Sequence, residues 1–425
     1  MKTDRTQVLV VGAGPVGLMT ALSLARAGVE VKIIDREDRT TARSYACALH
    51  PRTLKLLDGF GLAEPVIAQG RRVPTVAFYD LGTRRAEIRL RDLGGPFPFL
   101  VVAPQSVLEG VLEECLLKKH GIRVKWNHRL DQFEEKGDTV TATVEKLAGT
   151  AMGYIVPHWE TIVQKVISIQ ARFLVGADGH NSLVRQRLKL PFERLSPTQT
   201  FVTCEFSTDA EIEPEVRVVL DDYSTNVLWP LPDDKYRWTF QLVHIEGPRE
   251  FPEKDRWATA SLDEALNEEI RSGLERLILR RAPWYSASIG AISWSKHVAF
   301  EGRLVQKFGS QQCWLVGDAA HQTSPVGVQS LNVGMIEADL LANALQKRFR
   351  EDGPADTLPA YETSQQSEWR QLLGQSGGIW AGSDADPWVR ERCARMLPCL
   401  PASGEDLMRL AAQLKLELAP MPVAV

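Results

Sequence analysis

The chain has 425 residues, 44% apolar and 24% charged, the make-up of an ordinary globular protein long enough for two domains. Fifty Lys and Arg against 54 Asp and Glu leave a net charge of -4, which argues against a nucleic-acid partner because no basic surplus exists to neutralise a phosphate backbone. The six scattered cysteines form no C-x-x-C pair, the N-terminal apolar stretch Val8–Gly12 is far too short for a signal-peptide core, and no segment approaches the roughly 20 apolar residues of a membrane span, so a cytoplasmic protein with no metal and no membrane partner is expected.

In chain order, Val8–Val11 reads as a buried strand. Gly14–Gly28 carries Val16, Met19, Leu22 and Ala25 at helical spacing, and Val29–Asp35 is a second buried strand. Strand, glycine turn, helix and strand within about 30 residues make one βαβ unit. Its turn, Gly12-Ala13-Gly14-Pro15-Val16-Gly17, suits a pyrophosphate: the first glycine turns tightly, the second admits the phosphates, and the third packs helix on sheet. Asp35 ends the second strand, where a carboxylate can accept from a ribose diol. This unit alone admits NAD or FAD.

Residues 71–104 lack helical periodicity, whereas Ser106–His120 carries Leu108, Val111, Leu112, Cys115 and Leu116 on one helical face. Thr139–Val144 alternates, and Phe173–Gly176 is a buried run ending just before Asp178. From about 190 to 300 the text is of β type. Within it Tyr236–Leu242 puts Tyr236, Trp238, Phe240 and Leu242 on one face and Arg237, Thr239 and Gln241 on the other. Cys313–Gly317 is a third buried run, ending before Asp318. Asn332–Gln346 returns to helix, and Leu407, Leu410, Ala411, Leu414 and Leu418 form a helical stripe able to dock on the body or on a second subunit.

Gly12–Gly17, Leu174-Val175-Gly176-Ala177-Asp178-Gly179 and Leu315-Val316-Gly317-Asp318-Ala319-Ala320-His321 together resemble the motifs of the para-hydroxybenzoate hydroxylase-like family of single-component (class A) FAD-dependent aromatic monooxygenases. The likeness covers most of the chain. It implies an α/β fold with a Rossmann-like FAD-binding domain of the glutathione reductase type, made from residues 1–75, 105–188 and 301–345. Interleaved with it would be a β-sheet substrate domain of residues 76–104 and 189–300, with a helical C-terminal region at 346–425. By the same resemblance, Gly12, Gly14, Pro15, Val16, Gly17, Asp35 and Arg36 hold the ADP half of FAD. Asp178 and Gly179 lie near the pyrophosphate, Gly317 and Asp318 meet the ribityl chain, Arg43 and Gln105 touch the cofactor, and Leu130 lies near adenine. Pro325, Gly327, Ser330, Leu331 and Asn332 form the flavin-ring segment. The family usually has glycine at Ser330 and often at Val328.

The resemblance further implies that NADPH or NADH, as transient reductant, and O2 hydroxylate a phenolic or heteroaromatic ring through a C4a-hydroperoxyflavin. An epoxidase, a Baeyer-Villiger oxygenase and a flavin-binding protein without turnover are the other readings on this scaffold. The flavin carries the chemistry, so no side chain is a certain catalyst, and Pro325 and Arg237 are the candidates. Arg237, Thr239 and Gln241, with Asn226 and Leu228, are the candidate substrate contacts; Arg237 suits the flavin as well as the ring. By the same resemblance, His180 and His321 serve packing or backbone-fixing hydrogen bonds rather than catalysis. Monomer and homodimer both remain open.

Overall fold

The computed structural model describes residues 4–40, 46–152, 158–209, 212–243, 264–349, 356–375 and 378–418. The main elements are β1 (Asp4–Val11), α1 (Pro15–Arg26), β2 (Val31–Ile34), α2 (Pro51–Asp58), β3 (Thr75–Asp80), β4 (Thr83–Arg89), α3 (Gln105–His120), β5 (His128–Lys136), β6 (Thr139–Met152) and β7 (His158–Gly176). They continue with α4 (Leu183–Arg187), β8 (Gln199–Ser207), β9 (Glu215–Leu220), β10 (Thr225–Pro230), β11 (Lys235–Leu242), α5 (Glu264–Arg281), β12 (Ile292–Phe300), β13 (Cys313–Leu315), α6 (Gln329–Arg348), α7 (Thr357–Leu372), α8 (Pro387–Met396) and α9 (Gly404–Gln413).

The first sheet places β13, β7, β1 and β2 side by side and parallel. Val8, Leu9, Val10, Leu174, Val175 and Leu315 are buried there, as expected for strands apolar on both faces. Val11 pairs with Gly176, and Gly176 with Leu315, so three motifs separated by some 300 residues of chain leave adjacent strands at the same end. That end is where an open α/β sheet holds its ligand. Beyond the parallel part, β7 runs antiparallel to β6, which pairs with β5.

The second sheet has the order β12-β8-β11-β10-β9-β3-β4 and is antiparallel except where β9 joins β3. One face carries Val202, Cys204, Phe206, Tyr236, Trp238 and Phe240, packed on Ile270, Leu274, Leu277 and Ile278 of α5. The 18-residue helix α5 departs from the purely β expectation for 189–300, and it is what buries this aromatic face. The other face, with Phe201, Val218, Val227 and Trp229, belongs to the core shared with the first sheet.

At the C-terminal end, Leu407, Leu410 and Ala411 are fully buried in that shared core, so the stripe docks on the body of its own chain. Leu418 is no part of the helix: α9 stops at Gln413, Lys415 takes a left-handed φ of 58°, and Leu416–Leu418 pairs as a strand with Ile379–Ala381. No helix among the described residues is long and apolar enough to cross a membrane.

Candidate functional site

A trough runs across the ends of the parallel strands. One part, a cavity of about 440 Å³, is lined by Gly12, Asp35, Arg36, Leu130, Asp178 and Gly179; the next, of about 280 Å³, is lined by Pro15, Val16, Gln105, Asp318, Pro325, Ser330 and Leu331. Both are walled by Gly14, Ala177 and Gly179, so they are continuous. The glycines divide by role. A Cβ on Gly12, whose φ is 104°, would lie 2.2 Å from the Ala177 carbonyl oxygen, and one on Gly17 would lie 2.0 Å from the Gly12 oxygen, so these two close the backbone onto itself. Cβ atoms on Gly14 and Gly179 would meet no protein atom within 4 Å, so both face the open trough.

The carboxylates also divide. Asp35 accepts from the N–H of Ala13 (2.6 Å) and of Glu37 (2.9 Å), which aims it into the trough beside Gly12. Asp178 is spent on the protein: it accepts from Ser182 Oγ and from the N–H groups of Leu183 and Val184, fixing the start of α4. Burial pushes its carboxyl above the ordinary range, against the pull of those bonds. Asp318 is exposed to the trough and accepts from Ser330 Oγ at 2.8 Å.

At the far end α6 begins with no side-chain cap, beside Ser330 and Leu331 in the cavity wall. Val328 holds φ 52°, the left-handed conformation that a glycine takes without penalty, and Ser330 turns its hydroxyl onto Asp318. Two expected cofactor contacts do something else. Asn332 is buried, donates to the carbonyls of Ala48 and Val328, and accepts from His50 N–H, so its side chain is fully used in clamping the loop. Gly327 admits the Pro398 carbonyl, whose oxygen would lie 2.2 Å from a Cβ there. Both position the segment rather than line the trough.

His50 completes the clamp through Nε2 and the Gly327 carbonyl (2.9 Å). Burial lowers its pKa from 6.5 to about 4. The unfolded chain therefore takes up a proton that the fold refuses; stability is full above pH 6.5 and falls as pH drops toward 4, by roughly 2 kcal/mol at pH 5. Unfolding by denaturant at pH 7.5 and pH 5 should show a smaller difference for His50→Gln than for the wild type; equal differences would refute this.

On the second sheet, Arg237 and Thr239 lie on the face shared with the first sheet, with Gln241 half-buried beside them. Arg237 is 4% exposed, bonds Glu205 through Nε (2.8 Å) and Nη2, and lies over the Trp294 ring at 5.3 Å. Cys47, next to the trough-lining Ala46, is close enough for Arg237 to pull its thiol down, though burial prevails and pushes it up to about 11. Thr239 bonds Thr203 (3.1 Å), and Gln241 accepts from Thr225 N–H.

Asn226 and Leu228 need correction as substrate contacts. They pair with Phe240 and Trp238, so they point to the α5 face; Asn226 accepts from Arg281 and Leu228 packs in the aromatic core. Arg43 lies outside the described residues. His321 is fully buried and bonded to Glu337, and His180 is exposed, its carbonyl accepting from Arg185. Ala46, Phe300, Gln322, Thr323 and Ser324 also line the trough and carry no motif signal. Glu205 was legible, as the lone charge in the run Phe201–Phe206.

With this geometry in view, the chain belongs to the class A flavin aromatic monooxygenase family: the family's FAD binding domain matches residues 5–376. Its cofactor is FAD, which the open glycines, Asp35 and the uncapped α6 suit. Among relatives, 6-methylpretetramide 4-monooxygenase of Streptomyces rimosus is 30% identical over 85% of this chain and 59% of its own length. Para-nitrophenol 4-monooxygenase of Pseudomonas sp. (strain WBC-3) is 26% identical over 91% and 89%. This chain therefore spans less than two thirds of the first of these. The p-nitrophenol 4-monooxygenase structure from Pseudomonas putida DLL-E4 shares the fold with a TM-score of 0.73 at 22% identity, over 97% of both chains. Aklavinone-11 hydroxylase, solved with FAD and aklavinone, has a TM-score of 0.67 at 23% identity over 88% and 67%.

Proposed function

We propose that this protein is an NAD(P)H-dependent monooxygenase that hydroxylates a phenolic or heteroaromatic ring with O2. The observation that carries the proposal is the single trough leading from Asp35 to the N-terminus of α6, where Pro325, Leu331 and Phe300 make an apolar wall. FAD, when bound, supplies hydride acceptance from the transient nicotinamide and the activation of dioxygen. The chain's own groups do the rest. Gly14 and Gly179 leave room for the phosphates, while Asp35 presents a carboxylate to a ribose diol. The first turn of α6 offers N–H groups and the positive end of its dipole to negative charge developing beside Ser330 and Leu331. Pro325, Val316, Leu331 and Phe300 exclude water from that end.

The names of the nitrophenol relatives support a phenolic ring as substrate class. Val328 keeps the backbone a glycine would have, and Ser330 is tied to Asp318, so neither replacement favours a chain that binds flavin without turnover. The test is to purify the protein without added cofactor, record its visible absorbance, and then measure NADH and NADPH oxidation with and without phenols. Flavin bands with phenol-stimulated oxidation and a hydroxylated product are expected. FAD-loaded protein whose oxidation no phenol or heteroaromatic stimulates would sink the proposal.

A further inference from the structure

Behind the Gly317–Asp318 turn, between α6 and α7, lies a buried polar cluster that the proposed reaction does not use. Tyr361, Gln365 and Trp369 recur every four residues on one face of α7 and are buried. Opposite them are Glu337 of α6 and His321, both with fully buried side chains. Trp369 stacks on the His321 ring at 3.5 Å, and Phe308 lies 6.4 Å from His321 and 6.0 Å from Tyr361. The Glu337 charge is near enough to help burial push the Tyr361 hydroxyl well above its ordinary range. The five polar residues therefore form one buried cluster.

Six of their atoms have no hydrogen-bond partner among the described residues: His321 Nδ1, Glu337 Oε1, Tyr361 Oη, Gln365 Oε1 and Nε2, and Trp369 Nε1. Buried polar groups are nearly always paired, so this concentration calls for a further partner within the cluster. Its chemistry is set by the mixture. The indole and amide N–H groups only donate, the carboxylate and amide oxygens accept, and the phenol does both. A cation would face the donors and an anion the carboxylate; water alone satisfies both kinds.

Glu337 links this cluster to the cofactor site. Its Oε2 accepts from the Gly317 N–H at 2.7 Å and pairs with His321 Nε2 at 2.9 Å. Gly317 opens the turn at φ 63° and is followed by Asp318 in the trough wall. We propose that the polar cluster between α6 and α7 is a built hydration site, with ordered water bridging Glu337, Tyr361, Gln365 and His321, and that Glu337 is the positioning residue holding the Gly317–Asp318 turn against FAD. The hydration half does not depend on the proposed reaction; the positioning half rests on the trough holding FAD.

Three measurements test it. A high-resolution crystal structure of the FAD-loaded protein should place water within hydrogen-bond distance of Glu337 Oε1 and of Tyr361 or Gln365. Tyr361→Phe and Gln365→Leu should each lower Tm by about 2 °C or more, because they strand bridging water; in a dry cluster the same changes remove unpaired polar groups and raise Tm. Glu337→Gln should weaken FAD, followed by flavin fluorescence titration, about tenfold. Tyr361→Phe, which leaves Glu337 in place, should weaken FAD about threefold and carries this arm if Glu337→Gln does not fold. A raised Tm in both α7 variants, or a cluster closed by direct side-chain bonds, overturns the hydration site. Unchanged FAD affinity in the folded variants overturns the positioning role. A wild type that takes up no FAD counts against the cofactor assignment, while the Tm arm still reads hydration.

Discussion

Gly14→Leu is expected to abolish FAD binding and leave the fold standing, whereas Gly17→Ala, a smaller change three residues on, is expected to damage the fold itself. The difference follows from where each Cβ would go. Gly14 has an ordinary extended backbone (φ −67°, ψ 179°) and its Cβ would enter open trough, so a leucine there costs the protein little and occupies the space of the ligand. The FAD dissociation constant should rise more than about a hundredfold, some 2.7 kcal/mol. At Gly17 a methyl would sit 2.0 Å from the Gly12 carbonyl oxygen. That backbone cannot yield without moving α1 off β1, at a cost of about 3 kcal/mol or more. Thermal melts of the apo proteins with flavin fluorescence titrations separate the two effects. A Gly14→Leu protein that binds FAD like the wild type would show that the trough is not the dinucleotide site.

Glu205→Gln is the second large effect, and it falls on stability. Arg237 is buried, and the Glu205 carboxylate takes its Nε and Nη2. Neutralising that carboxylate leaves a guanidinium out of water without its counter-charge, a loss of about 3–5 kcal/mol. Removing both charges is milder: Arg237→Met with Glu205→Gln should recover more than half of that loss, because no uncompensated ion remains. Denaturant unfolding of the wild type, the two single variants and the double variant measures the coupling directly. If Glu205→Gln matches the wild type, the pair contributes nothing and Arg237 is solvated by other means. The pairing also bears on the site, since an arginine already committed to a carboxylate is not a spare cation for an acidic substrate.

Much of this protein is local and could be read along the chain. The three cofactor motifs are runs of β-branched and aliphatic residues ending in glycine, and they end that way because strands buried on both faces must be apolar throughout and must turn tightly at the ligand edge. The alternation in β11 divides Trp238 and Phe240 from Arg237 and Thr239 by the two-residue period of a strand alone. Even α5 left a trace, since Ile270, Leu274, Leu277 and Ile278 keep helical spacing. Its polar surroundings and flanking strands concealed it.

Other features depend on partners distant in the chain. Asn226 and Leu228 alternate as well as Arg237 does, and only the antiparallel register, which sets them opposite Phe240 and Trp238, assigns them to the helix-covered face. A one-residue shift would have reversed that assignment. Asn332 and Gly327 look like ligand contacts by position, yet Ala48, His50 and Pro398 claim them, residues up to 284 positions away. The strands and the glycine turns could be read from the chain alone, because each follows from backbone sterics and hydrophobic period within a few residues. Which polar groups face the ligand and which are spent holding the protein together was decided only by tertiary structure, because a hydrogen bond requires both partners in place, and here the partners lie in different elements.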